Sequence, residues 1–303
     1  MACVRIVSLL PSATEILFAV GAGDDVVGVT FECDYPEEAS HRRVVSTTAL
    51  PEGLSPSEID AVVRARIAAG EDLYSLDRGA LRGLDPDLVV TQDLCAVCAV
   101  DIDEVSAALE HLGCDAAVLT LDPMTLGEVI ASVEEVGRAT GHEAAAVRLT
   151  AELAARLDRV ASAVAGRVRP AVAVLEWSDP PFSSGHWVPD MVAAAGGESV
   201  LGRSGERSRQ VTFEDVAAAA PDCIVVAPCG YRLEGARELA AALVGSGSLP
   251  GGVPVWAVDA DAAFVRPGPR LVEGVEALAS IIHPGSVPAP PGAAAHVVRA
   301  GGG

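Results

Sequence analysis

The order of apolar runs along the chain predicts an α/β fold: two Rossmann-like lobes with parallel sheets, joined by a single long helix. Three observations lead there. Residues 4–121 alternate short strand-like runs with helical patterns, residues 125–166 carry helical patterns only, and residues 169–282 alternate again. Strand–helix alternation is what a parallel sheet covered by helices on both faces requires. The expected divisions are 1–124 for an N-terminal α/β lobe and 125–167 for a helix followed by the long bridging helix. A C-terminal α/β lobe is expected over 168–285 and a disordered tail over 286–303.

Each element has its own signal. "VRIVSLL" (Val4 to Leu10) reads as a strand, followed by the helix "SATEILFAVG", for which Ser12 and Glu15 make a capping-box pattern and Gly21 a stop. "DVVGVT" and "RRVVS" are the next strands, "SPSEIDAVVRARIAAG" a helix, and "PDLVVTQ" a buried strand. "IDEVSAALEHLG" is then a helix and "DAAVLTL" a strand. In the middle, "TLGEVIASVEEVGRATG" is one helix and "HEAAAVRLTAELAARLDRVASAVAG" a longer one, of ~24 residues and roughly 36 Å. Leu149, Leu153, Leu157, Val160 and Val164 form its apolar stripe, while Arg148, Glu152 and Arg156 offer i,i+4 charge pairs. The second half reads as strand "RPAVAVLEW", helices "WVPDMVAAAGG" and "TFEDVAAAAP", strand "DCIVVAP", helix "EGARELAAALVGSG", strand "VPVWAVD" and helix "PRLVEGVEALASII". "PGSVPAPPGAAAHVVRAGGG" follows, rich in Pro, Gly and Ala.

Composition excludes some functions. A net charge of −21 opposes nucleic-acid binding, which needs a basic stripe. All 21 basic residues are arginines, with no lysine. No stretch is long and apolar enough to span a bilayer, so no membrane insertion is expected. "MACVRIVSLLPSATEIL" lacks a basic n-region and a signal-peptide core, so the expectation is a cytoplasmic protein whose cysteines are thiols or ligands. Nothing calls for more than a monomer or dimer.

Chemistry gathers where strands end, the place at which open parallel sheets bind ligands. "TFECDYP" offers Glu32, Cys33, Asp34 and Tyr35; "TQDLCAVC" offers Asp93, Leu94, Cys95 and Cys98. "EWSDPPFSSGHWVP" carries Glu176, Trp177, His186 and Trp187, and "APCGY" carries Cys229 and Tyr231. "FVRPGPR" sets Arg266 and Arg270 on a proline-stiffened turn. Four of seven cysteines thus fall in the first turn after a strand, where a reactive or ligating thiol is accessible, whereas Cys3, Cys114 and Cys223 start strands and read as small core residues. A structural zinc knuckle normally takes two close ligand pairs, and the chain has one Cys-x-x-Cys. A thioredoxin-like pair belongs at a helix N-terminus. A composite site remains, in which Cys33, Cys95 and Cys98 hold zinc, iron or cobalt, with Cys229 and His186 as further donors. Trp177 and Trp187 are either core residues or a stacking wall for a planar ligand. Arg266 and Arg270 either pair with carboxylates or meet an anionic or amide-rich ligand. "GAGDDVVG" lacks the dinucleotide spacing, and no Walker, His-Glu-x-x-His or Gly-x-Ser-x-Gly element occurs, so no catalytic residue is expected.

The segments "RIVSLLPSATEILFAVGAGDDVVGVTFECDYP", "LDPDLVVTQ", "TGHEAAAVRLTAEL", "GHWVPDMVAAAGGESVL" and "RPGPRLVEGVEAL" resemble the cobalamin (vitamin B12) substrate-binding proteins of ABC importers. The resemblance runs from about residue 4 to 283 and implies a class III periplasmic-binding-protein-like fold with a corrinoid lying flat between the lobes. It carries over to Tyr35, the Asp93–Cys95 loop, Trp187 and the Arg266–Arg270 turn. Family members also dock on their membrane component through one outward glutamate per lobe. Glu214 matches the second-lobe position, but the first-lobe position falls on Gly79, which argues against engagement of an ABC permease. Cys33 stands where the family pattern has a small residue.

Two functions follow as expectations. The first is a non-enzymatic small-molecule binding protein taking a corrinoid or similar flat ligand in the inter-lobe cleft. The second is a cytosolic metal- or thiol-dependent protein, an enzyme included, that uses Cys33, Cys95 and Cys98 in the same cleft.

Overall fold

A computed structural model describes residues 4–69, 71, 73–92 and 115–297. The chain divides into two compact units: Met1–Pro123 with Ile130–Ala151, and Met124–Val129 with Glu152–Gly303. The divisions fall at the Pro123–Met124 junction and inside two helices, α4 (Leu126–Thr140) and α5 (Glu143–Val164).

In the first unit, β1 (Ile6–Ser8), β2 (Val26–Val29), β3 (Arg43–Val44), β6 (Leu88–Thr91) and β7 (Ala117–Thr120) form one sheet in the order β3-β2-β1-β6-β7. All its pairings are parallel. Ile6 and Val7 point to opposite faces and join separate buried clusters, one with Ile16, Leu17, Val133 and Val136, the other with Val45, Leu73, Leu84 and Val89. Burial on both faces explains the unbroken apolar runs of these strands. β4 (Ser46–Thr48) and β5 (Tyr74–Leu76) form a small antiparallel pair beside it. Helix α1 (Pro11–Ala19) starts on Pro11, not on a capping box: Ser12 and Glu15 are buried within it and Leu10 makes no side-chain cap. Proline suits this first position because its missing N–H has no helical partner to lose. Gly21, with φ of 90°, ends the helix as expected. Between them lie α2 (Pro56–Ala69) and the short α3 (Arg78–Leu81).

In the second unit, β8 (Ala171–Ser178), β10 (Glu198–Ser199), β11 (Cys223–Val226), β12 (Val255–Val258) and β13 (Ala294–Val297) are ordered β10-β8-β11-β12-β13, and β9 (Pro181–Ser183) folds back on β8. The strands are parallel except β9 and β13. Helices α6 (Val188–Ala194), α7 (Phe213–Ala218), α8 (Leu233–Ser246), α9 (Ala260–Ala263) and α10 (Leu271–Ile282) complete it. The tail expected to be disordered instead contributes β13, with Val297 opposite Val255 and His296 opposite Trp256. Its Ala/Val run satisfies the otherwise open edge of β12.

Within α5, Leu153, Val160 and Val164 are buried, as the apolar stripe predicts. The main partner of Arg156 lies off its helix: its Nε and Nη2 donate to both carboxylate oxygens of Glu276 on α10, at 3.0 and 2.7 Å, while Glu152 acts on it only through its charge. Such a bidentate fork fixes geometry as well as charge.

Both sheets reverse direction beside their first strand. The chain leaves β1 for β2 on one side and returns to β6 on the other; likewise β8 precedes β10 on one side and β11 on the other. The carboxyl ends of β1/β6 and β8/β11 are therefore the switch points at which such sheets hold ligands.

Candidate ligand-binding site

In the second unit the switch point is built around Glu176. Its backbone carbonyl accepts from the Cys229 N–H at 3.1 Å, joining the ends of β8 and β11. Its carboxylate accepts from the Ser208 hydroxyl and, at 3.3 Å, from the Gly185 N–H. Burial pushes the Glu176 carboxyl up to about 7, and the two hydrogen bonds only partly oppose that rise. Trp177, the next residue, meets Tyr231 edge-on, with ring centroids 5.9 Å apart. Burial also raises the Tyr231 phenol. Cys229 is exposed between them in sequence, on the turn that Gly230 (φ 78°) allows.

The rim of this switch point is a pair of segments held by main chain. The Ser183 N–H donates to Arg209 O at 2.9 Å, the His186 N–H to Glu206 O at 2.6 Å, and the Gly205 N–H to His186 O at 3.1 Å. Two glycines permit this approach: a Cβ on Gly185 would run into the Ser208 amide, and one on Gly202 into the Ser184 carbonyl. His186 adopts φ of 51°. Burial, and after it the positive charge of Arg207, lowers the His186 pKa.

Two expected site residues are tied into the fold. Trp187 is 6% exposed, and its indole N–H donates to Phe264 O at 2.7 Å. This is a buried anchor with its polar edge satisfied, not a stacking wall. Arg266 pairs with Asp261 of its own turn at 2.8 Å, with both side chains largely covered. Asp261 in turn donates its N–H to Tyr231 O, so the ion pair braces the loop that carries the aromatic ring. Arg270 is half-buried at the start of α10.

In the first unit, Tyr35 is 47% exposed and Phe31 38% exposed after β2. Phe31 stacks on Tyr74 with centroids 5.7 Å apart, and the Tyr74 hydroxyl lies 3.3 Å from Glu32 Oε1. Glu32 and Asp34 are half-buried. Cys33, expected as an accessible ligand, is 4% exposed and belongs to the hydrophobic core beside Leu10 and Val29. The Thr14 hydroxyl lies 3.0 Å from its sulfur and donates to Ser8 at 2.8 Å. In the run Glu32–Cys33–Asp34 the middle residue turns inward while its neighbours stay at the surface. Asp93, Leu94, Cys95 and Cys98 lie outside the described residues, as do Cys3 and Cys114. Among the described residues no group of three or more His, Cys, Asp or Glu could hold a metal ion, so nothing there supports the expected zinc, iron or cobalt site. Cys223 is buried, as expected, and burial, with Asp222 beside it, pushes its thiol up to about 12.

On the outside of the second unit, Glu214 is exposed in the first turn of α7, which Thr212 and Asp215 cap reciprocally. The corresponding position in α3, Gly79, is exposed and donates its N–H to the capping Asp77 carboxylate at 2.8 Å.

Ser208, Arg207, Phe31 and Tyr74 were not expected from the sequence. For the first two the available signal was "RSGERSR", three arginines in seven residues of a strongly acidic chain.

Residues 6–242 match the family described as periplasmic binding protein, well over half of the chain. A cobalamin-binding protein of Halobacterium salinarum is 28% identical over 290 residues, covering 92% of this chain and 69% of that protein. An uncharacterized ABC transporter substrate-binding lipoprotein of Bacillus subtilis is 27% identical over 294 residues, covering 92% of this chain and 80% of its own length. A periplasmic heme-binding protein from Pseudomonas aeruginosa has the same fold, with a TM-score of 0.70 at 19% identity over 98% of this chain and 99% of its own. These matches correct the expectation of a cytoplasmic protein, since a periplasmic family and a lipoprotein relative point outside the cytoplasm. They favour a binding role over the thiol-dependent cytosolic alternative. With two α/β units, parallel sheets and a family match that runs through both, the chain belongs to the periplasmic binding protein family.

Proposed function

We propose that this protein is the substrate-binding component of an ABC importer and captures a flat tetrapyrrole-type ligand, with a corrinoid as first candidate. It acts by binding, not by catalysis. The observation that carries the reading is the Trp177–Tyr231 pair at the β8/β11 switch point, the position where the fold places ligands and where a planar molecule finds aromatic surface. Phe31, Tyr35 and Tyr74 supply a second aromatic set on the first unit. The cobalamin-binding name of the Halobacterium relative supports the ligand class. The importer role is supported by the Bacillus relative's name and by exposed Glu214, which would meet a cationic pocket of the membrane component. With Gly79 at the first-unit position, that contact is one-sided.

Calorimetry and absorbance titration with cyanocobalamin and hydroxocobalamin, with hemin for comparison, test the reading. Binding with a shifted visible spectrum is expected, weakened about tenfold by Trp177→Ala, as for the loss of one good aromatic contact. No heat and unshifted spectra at micromolar concentration for all three compounds would overturn it.

A further inference from the structure

Glu176 has hydrogen-bond partners within the chain. It lies at the end of β8, with its carboxylate turned to Ser208 and to the Gly185 amide rather than to a basic side chain. Those two donors sit on the two segments that form the rim, residues 203–211 and 182–186, whose backbones are in van der Waals contact because Gly185 and Gly202 lack a Cβ. Residues 203–209 also carry Arg203, Arg207 and Arg209 in a chain of net charge −21. Arg207 stands close enough to His186 to lower its pKa. We infer that Glu176 is a positioning residue: through Ser208 and the Gly185 amide it fastens the arginine-bearing segment 203–211 against the 182–186 turn, and so sets how the anionic side groups of a ligand are met at the carboxyl end of the second sheet. The ligand half of this statement rests on the function proposed above; the fastening does not.

The latch has a signature that a passive packing contact lacks. While the segment is docked, Glu176 keeps its proton up to about pH 7 because it is desolvated. Once the segment swings away, water reaches the carboxyl and its pKa falls back to the ordinary range near 4.3. Raising the pH therefore favours the undocked form, by roughly 75-fold between pH 5 and 8, levelling off above 7. The titratable or charged groups on the segments that meet it are His186 on the turn, Arg203, Glu206, Arg207 and Arg209 on the segment, and Cys229 and Tyr231 after β11, while its own shift comes from burial and its two hydrogen bonds. Of these His186 is the rival in this pH window, and its pKa is lowered, so its charge is lost on the acid side of the Glu176 transition.

Hydrogen–deuterium exchange of residues 182–186 and 203–211 in the ligand-free full chain, corrected for intrinsic rates, reads the latch directly. In the wild type, opening should rise by tens-fold from pH 5 to pH 8. Glu176→Gln, which keeps the hydrogen bonds and cannot ionise, should hold opening flat, and Ser208→Ala should raise it about tenfold throughout, as for one lost hydrogen bond to an acid. A flat wild-type profile, or an unchanged rise in Glu176→Gln, overturns the inference. If Glu176→Gln does not fold, Ser208→Ala with normal protection overturns it equally. Hemin and cyanocobalamin are then titrated into wild type and Ser208→Ala; about tenfold weaker binding to the variant is expected, and equal binding overturns the positioning role. Should neither compound bind wild type while exchange behaves as expected, the ligand reading fails and the fastening stands.

Discussion

The two strand-end regions solve the same local problem in opposite ways. In the first unit the tips of β1 and β2 carry short neutral contacts: the Thr14 hydroxyl links Ser8 and Cys33, and Thr30 meets Ser46 at 2.6 Å, all of them buried. In the second unit the tip of β8 carries an ionisable carboxyl, an exposed thiol follows β11, and an aromatic pair stands between. Neutral hydroxyl contacts in a covered site cost little at any pH, whereas a desolvated carboxyl is held against its preference. The first set of contacts is insensitive to pH; the second is not.

The sharpest way to break this comparison is to put a charge on each side. Cys33→Asp should cost at least about 4 kcal/mol, because the core offers no counter-charge, while Cys229→Asp should stay within about 0.5 kcal/mol. Urea unfolding of both variants checks it, and equal losses would mean that Cys33 is as open as Cys229. Next come the glycines. Gly202→Ala forces a methyl into the Ser184 carbonyl and should cost about 3 kcal/mol. Gly28→Ala meets side-chain atoms of Leu84 and Val45, each at 3.0 Å, and of Val7 at 3.3 Å, and should cost about 1 kcal/mol, since no backbone atom stands in the way. Melting temperatures rank the two.

The third effect is linked to pH. In the folded chain Glu176 holds a proton that the unfolded chain has already released above its ordinary pKa. Its contribution is therefore complete at pH 4, lost progressively towards pH 7 and constant beyond. The loss is about 3 kcal/mol. The difference in unfolding free energy between wild type and Glu176→Gln, followed from pH 4 to 8, should trace that loss. The smallest effect is in reactivity: iodoacetamide, read by peptide mass mapping, should modify Cys229 in the native protein and spare Cys33 and Cys223 until unfolding.

The architecture was legible because period and alternation survive in a single chain. The strands "RIVSLL", "DLVVT" and "DCIVV" are apolar on both faces, and only a sheet covered on both sides asks for that. Which loops follow strand ends was legible for the same reason. What the side chains do there was not. Cys33 and Trp187 both occupy strand-end loops, yet direction within a loop depends on turn dihedrals, and the inward turn of Cys33 has no pattern to announce it. Ser208 was missed because its role comes from two glycines that bring distant backbones together, a property of space rather than of spacing. Glu176 was found, but as a ligand contact; only its partners reveal the other role.

The antiparallel pairing of β13 along β12 has a practical consequence. Clipping the chain ahead of Ala294 would strip the flank from Val255–Val258, a Val-Trp-Ala-Val run with every trait of an adhesive seam. The remaining protein would recruit foreign strands, and preparations shortened there should precipitate long before the ligand chemistry is touched.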